Sequence, residues 1–205
     1  MTHPIAGAPQ FVAHDLGLDF INTAYGPPAA PVEVLVDDAS VIHWLVAAGA
    51  LEAAPTHVPR GLAQLAVALR DEVRDLLSAA QAGGAFQAPV VNRVLEEGRP
   101  RLQLVASPGT AAPRVVQSRR NDSAESLLEP VAAAVAQLLS GADLGDVRQC
   151  EAHDCSLVFH DTTKSRKRRW CSMAQCGNRQ KATRFRKRSA APSPKQAPSR
   201  TPSHD

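Results

Sequence analysis

The chain has 205 residues, of which 44% are hydrophobic and 4% aromatic, with a formal net charge of +3. This is a globular composition whose core must be built from Ala, Val and Leu, and no run of about 18 apolar residues offers a membrane span. The small net charge hides a segregation: residues 1–149 hold 10 Lys/Arg and 16 Asp/Glu, residues 150–188 hold 11 and 3, and residues 189–205 hold 2 and 1. An acidic body joined to a basic module points to an anionic partner. The opening MTHPIAGAPQFVAHDLGLDF has no basic region followed by an uninterrupted apolar stretch, so a cytoplasmic location is expected.

Residues 14–24 read as a short helix with Leu16, Phe20 and Thr23 near one face and Leu18 and Ile21 beside it. A second helix is expected over 38–48, with Asp38 as N-cap, Val41, Ile42, Leu45 and Val46 in one stripe, and Gly49 as the stop. The clearest pattern runs from Gly61 to Ala82. There Leu62, Leu65, Leu69, Val73, Leu76 and Leu77 recur at helical spacing, and Arg70, Asp71, Arg74 and Asp75 take the other side. A shorter helix follows over 89–97. Residues 101–107 and 114–120 are β-prone and joined by the turn-rich PGTAAP, which predicts a hairpin. Asp122 and Glu125 resemble a capping box ahead of the stripe Leu127, Leu128, Val131, Val135, Leu138, Leu139. Pro130 leaves two alternatives: the helix begins there, or it kinks there.

The chemistry is concentrated in the four cysteines, Cys150, Cys155, Cys171 and Cys176. They form two C-x4-C pairs separated by fifteen residues. Each pair can bring both sulfurs to one ion, and two pairs complete the tetrahedral shell of one structural Zn²⁺, with no open position for a catalytic water. Disulfides would need an oxidising compartment. His153 and His160 lie close by, but four thiolates already suffice. The module of about 39 residues is too small to fold by hydrophobic burial alone and depends on its metal. LVFHD, 157–161, reads as a strand of a small hairpin, and a helix is expected from Met173 or Cys176 to Arg188. Phe185 is expected to pack inward against Trp170 or Phe159.

The basic residues supply candidate nucleic-acid contacts: Lys164, Arg166, Lys167, Arg168, Arg169, Asn178, Arg179, Lys181, Arg184 and Arg188. Such cations position a protein on phosphates, and Asn178 and Arg179 are the types that read base edges. Two other roles stay open: Asn178 as a cap, and Arg179 as a cation beside the sulfurs. No phosphate-binding, dinucleotide, zinc-protease or nucleophile-elbow motif is present. Asp15 and Asp19 stand four apart without a further partner, so an enzyme is not expected.

WCSMAQCGNRQKATRFRKR, 170–188, with its tetrapeptide Cys176-Gly177-Asn178-Arg179, resembles the CGNR zinc finger family. GLDFINT, 17–23, resembles the start of the ABATE domain that precedes this finger. The resemblance implies a bacterial, stress-linked transcription regulator with a DNA-binding finger, the four cysteines as zinc ligands, and Asn178 and Arg179 completing the signature. The expected fold class is α+β. A mainly helical N-terminal domain with a small β-hairpin covers 1–145, a small treble-clef-like zinc-binding module covers 146–188, and a disordered Pro/Ser-rich tail covers 189–205. DNA is the expected partner, RNA or an acidic protein the alternative. A homodimer is left open, and no membrane is expected.

Overall fold

The computed structural model describes residues 5–27, 29–106, 109, 112–141 and 143–190, the side chains of residues 5, 6, 187, 188 and 190 excepted. By its internal contacts the chain divides into two compact units, Met1–Cys171 and Ser172–Asp205.

The first unit is a set of helices whose ends are tied by carboxylates. Helix α1 (Leu16–Ile21) starts at Asp15, whose carboxylate accepts from the Leu18 amide at 3.0 Å. Helix α2 (Asp38–Ala47) is capped one residue earlier than expected: Asp37 and Ser40 form a reciprocal capping box. Asp38 serves the next helix instead. Its two oxygens accept from the Gly61 and Ala63 amides at 3.2 and 2.8 Å, at the start of α3 (Leu62–Gln81). This substitutes for the side chain that Gly61, with φ of 81°, cannot provide. Glu72 of α3 does the same for α4 (Pro89–Glu97), taking the Val90 and Val91 amides at 3.0 and 2.7 Å.

Helix α5 (Ala124–Gly141) contains Pro130 within its length rather than at its start. Its first turn is capped by Ser123, whose hydroxyl accepts from the Ser126 amide at 3.2 Å. Asp122, expected as the cap, is paired with Arg119 at 2.7 Å. Two glycines permit the helices to close on α5. A Cβ on Gly17 would lie 3.0 Å from Val135 Cγ2, and one on Gly98 only 2.4 Å from the Glu125 carbonyl oxygen.

The core gathers Leu18, Phe20, Trp44, Leu45, Leu69, Leu127 and Val131, all fully buried. Phe20 and Phe11 lie against Trp44 with ring centroids 5.3 and 6.0 Å away. Arg70 departs from its expected place on the solvent face. It is 4% exposed and makes a bidentate pair with Glu33 at 2.7 and 2.8 Å, with a further bond to the Thr23 hydroxyl. Burial alone would raise the Glu33 carboxyl. The hydrogen bonds and charge of Arg70 outweigh it, and the pKa falls below its usual value. Glu33 belongs to a three-stranded sheet of two-residue strands, β1 (Ile5–Ala6), β2 (Ala24–Tyr25) and β3 (Val32–Glu33), ordered β1-β3-β2.

The hairpin expected in the middle of the chain forms from β4 (Arg101–Val105) and β5 (Arg114–Ser118), antiparallel, with Leu104 opposite Val115. A second, shorter hairpin pairs β6 (Val147–Gln149) with β7 (Val158–His160). Among the described residues no helix is long and apolar enough to cross a membrane.

In the second unit, the Ser172 hydroxyl accepts from Gln175 N and the Ser172 carbonyl from the Cys176 and Gly177 amides, closing a wide helical turn over Met173–Gly177. Helix α6 (Asn178–Ala190) continues from it. Phe185 does not pack inward as expected: it is 63% exposed. Helix α6 takes in the first two residues, 189 and 190, of the tail expected from 189, and residues 191–205 lie outside the described residues.

Candidate metal centre and its basic surroundings

Hairpin β6–β7 sets the first cysteine pair. The ladder continues one step past β6 through Cys150 N to Leu157 O at 2.8 Å, and the loop beyond turns back through Cys155 N to Ala152 O at 3.0 Å. Glu151 N donates to Arg169 O at 3.0 Å, which brings the segment leading to Cys171 alongside. The sulfurs of Cys150, Cys155, Cys171 and Cys176 all lie within 4.8 Å of one another. Cys155 and Cys171 sulfurs are 3.8 Å apart, far beyond a disulfide bond of about 2.05 Å. A tetrahedron with Zn–S bonds of about 2.3 Å has edges of about 3.8 Å, so the donor set fits one structural zinc ion. Cys150, Cys171 and Cys176 are buried and Cys155 is half-buried. Neither His153 nor His160 belongs to the cluster.

The hairpin is fastened to α1 by a single side chain. Asn22, 1% exposed, donates through Nδ2 to the Val158 carbonyl at 2.8 Å and accepts the Val158 amide on Oδ1 at 2.9 Å. An amide side chain thus stands in for a strand residue beside β7. His160 N donates to Ala13 O at 3.3 Å, and Phe159 is fully buried. Asp19, buried near these, accepts from the Val12 and Ala13 amides at 3.0 and 2.9 Å. Burial is the largest influence on its carboxyl and leaves it above its usual pKa. The Asp15/Asp19 pair is therefore used to cap one helix and to hold the loop before it.

After β7 the basic segment turns around Asp161. This carboxylate is inaccessible to solvent and accepts from the Thr163 amide at 3.0 Å, the Thr163 hydroxyl at 2.6 Å and the Arg168 amide at 2.7 Å. Burial pushes its pKa up, but these hydrogen bonds prevail and hold it low.

The candidate nucleic-acid residues divide by what they touch. Arg168 is built into the fold: its guanidinium lies 4.3 Å above the Phe159 ring and donates to the carbonyls of Trp170, Val12 and Cys171. Arg166 binds the Asp161 carbonyl at 2.6 Å and the Asp146 carboxylate at 2.7 Å. Arg169 pairs with Glu151 at 2.6 Å and lies over the Trp170 ring. Arg179 donates to Cys176 Sγ at 3.3 Å, placing positive charge against the thiolate shell.

Lys164 and Lys167 in the loop, and Asn178, Lys181 and Arg184 on α6, are exposed. The side chain of Arg188 lies outside the described residues. Sequence reasoning passed over exposed Arg186, which shares the Lys/Arg run of α6. It also missed Asn22, whose role rests on a partner 136 residues away.

The ABATE family, described as "Putative stress-induced transcription regulator", matches residues 14–142. The CGNR zinc finger matches residues 147–189. No curated protein matches the chain.

Proposed function

We propose, of a chain that belongs to the ABATE family and carries a CGNR zinc finger after that domain, that it is a DNA-binding transcriptional regulator whose finger needs zinc to fold. The observation that supports this reading is the sign of charge around the metal centre. Between Thr162 and Arg188 there are eleven Lys/Arg and no Asp/Glu. Lys164, Lys167, Lys181, Arg184 and Arg186 are exposed to a partner. A zinc–tetrathiolate carries two negative charges, so this excess exceeds what the metal site needs and suits a phosphate backbone. Asn178 and Arg179 are then the residues nearest to reading sequence, with Arg179 also holding Cys176. In this reading the protein works in the bacterial cytoplasm under stress and is not an enzyme. Its acidic helical domain senses a signal or dimerises.

The test is a gel-shift titration of the full chain on duplex DNA. Five phosphate contacts give a log–log salt slope of about −4.5. Binding that is absent from every duplex, or insensitive to salt, overturns the reading. One observation favours single-stranded RNA as the alternative partner: Phe185 is exposed between Arg184 and Arg186, an arrangement on which an unpaired base can stack. Tighter binding to unpaired RNA than to duplex DNA, lost in Phe185→Ala, would select that partner.

A further inference from the structure

A cleft of about 720 Å³ opens in the first unit where the loop after α2, strand β5 and the start of α5 meet. We propose that it binds a small organic cation, an ammonium or amidinium group on a compact apolar body. Leu51, Pro100, Val116 and Pro130 supply apolar wall, and the volume lies within the range of small-molecule sites.

Two of its lining residues, Ser126 and Glu129, carry three acceptors. Ser126 lines the cleft at 2% exposure, and its buried hydroxyl has no hydrogen-bond partner. The backbone carbonyl of the same residue lacks its helical donor, because Pro130 stands four residues on and has no N–H. One turn along, the Glu129 side chain makes no hydrogen bond or ion pair among the described residues. Burial pushes its carboxyl above its usual pKa, which is the condition of a carboxylate lacking its counter-charge.

The charge at the cleft selects a cation. Glu52 and Glu129 both line it. Its one lining cation, Arg119, is already bound by Asp122 at 2.7 Å and by the Asn121 carbonyl at 3.1 Å. An anion would meet two carboxylates. A neutral ligand would cover half-buried Glu129 without supplying a counter-charge. An ammonium or amidinium supplies the several donors that the hydroxyl, the carbonyl and the carboxylate together lack.

The test uses the full zinc-loaded chain and two probes of one shape, 2-phenylethylammonium and 2-phenylethanol, followed by amide chemical shifts. The ammonium should produce saturable shifts centred on Ser126 and Glu129. Replacing it by the alcohol, or Glu129 by Gln, should weaken binding about tenfold or more. Ser126→Ala should weaken it about threefold, and it keeps the test open should Glu129→Gln fail to fold. Equal affinity for alcohol and ammonium, unchanged affinity in Glu129→Gln or in Ser126→Ala, or shifts that never saturate would overturn the proposal. Binding here is read without DNA, so its failure is distinct from failure of the regulator reading.

Discussion

The two isolated hairpins of this protein, β4–β5 and β6–β7, invert the usual relation between strand length and burial. Hairpin β4–β5 has five residues in each strand, yet Leu102, Leu104 and Val115 are 70, 71 and 66% exposed. Hairpin β6–β7 has three residues in each strand, yet Val147 and Phe159 are buried. The shorter one is held from several sides: by Asn22 on one strand, by Arg168 over Phe159, and by Cys150 and Cys155 in its loop. Cross-strand hydrogen bonds alone leave a two-stranded ribbon marginal in water. What distinguishes the two is how many outside groups each strand end is tied to.

Removing the metal should break this contrast most. A strong chelator, or Cys155→Ser, should abolish amide protection in β6 and β7 while leaving β4 and β5 nearly unchanged. The apparent free energy at stake is about 10 kcal/mol or more. Loss of protection in both hairpins together would mean that the metal stabilises the whole first unit.

A second test reaches the body that carries both hairpins. Glu33→Gln leaves the buried Arg70 guanidinium without its carboxylate and should cost about 3 kcal/mol in urea unfolding at pH 7. The folded pKa of Glu33 lies below its reference of 4.5. Its contribution is therefore complete above about 4.5 and is lost as pH falls through the lower folded value. The difference between wild type and variant should shrink over that acid window, and a constant difference would remove Arg70 as the cause.

Asn22→Ala isolates the clip on β7. It strands the Val158 amide and carbonyl and should cost about 2 kcal/mol, with faster amide exchange at Val158 and His160. Unaltered exchange there would show that the metal alone secures the hairpin. The smallest effect belongs to the exposed hairpin: Leu102→Thr or Leu104→Thr should change stability by about 0.5 kcal/mol or less. A larger loss would show that this face is covered in solution.

What the sequence disclosed follows the range of the constraint. The cysteine cluster was legible because C-x4-C is a local restriction and zinc tolerates few geometries. The helices were legible from their apolar period, including the bounds 89–97 of α4. Arg70 was not: helical spacing places it among charged neighbours, and only Glu33, 37 residues earlier, explains its burial. Asp38 looked like the cap of its own helix and caps the next one. The three-stranded sheet escaped because two-residue strands carry no alternation to detect. In the finger, counting charge located the basic segment but could not separate Arg168, bound into the fold, from exposed Lys164 and Arg184. Phe185 was assigned to the interior because aromatics usually go there, and its exposure revives unpaired bases as partners.

The uneven cover of the four sulfurs has a kinetic consequence. Cys150, Cys171 and Cys176 are 5, 1 and 3% exposed, and Cys176 is also shielded by the Arg179 guanidinium. Only Cys155 is half-buried rather than buried. An alkylating agent or peroxide approaching the cluster would meet Cys155 before the three buried cysteines. With zinc bound, loss of the metal to such a reagent would begin at Cys155.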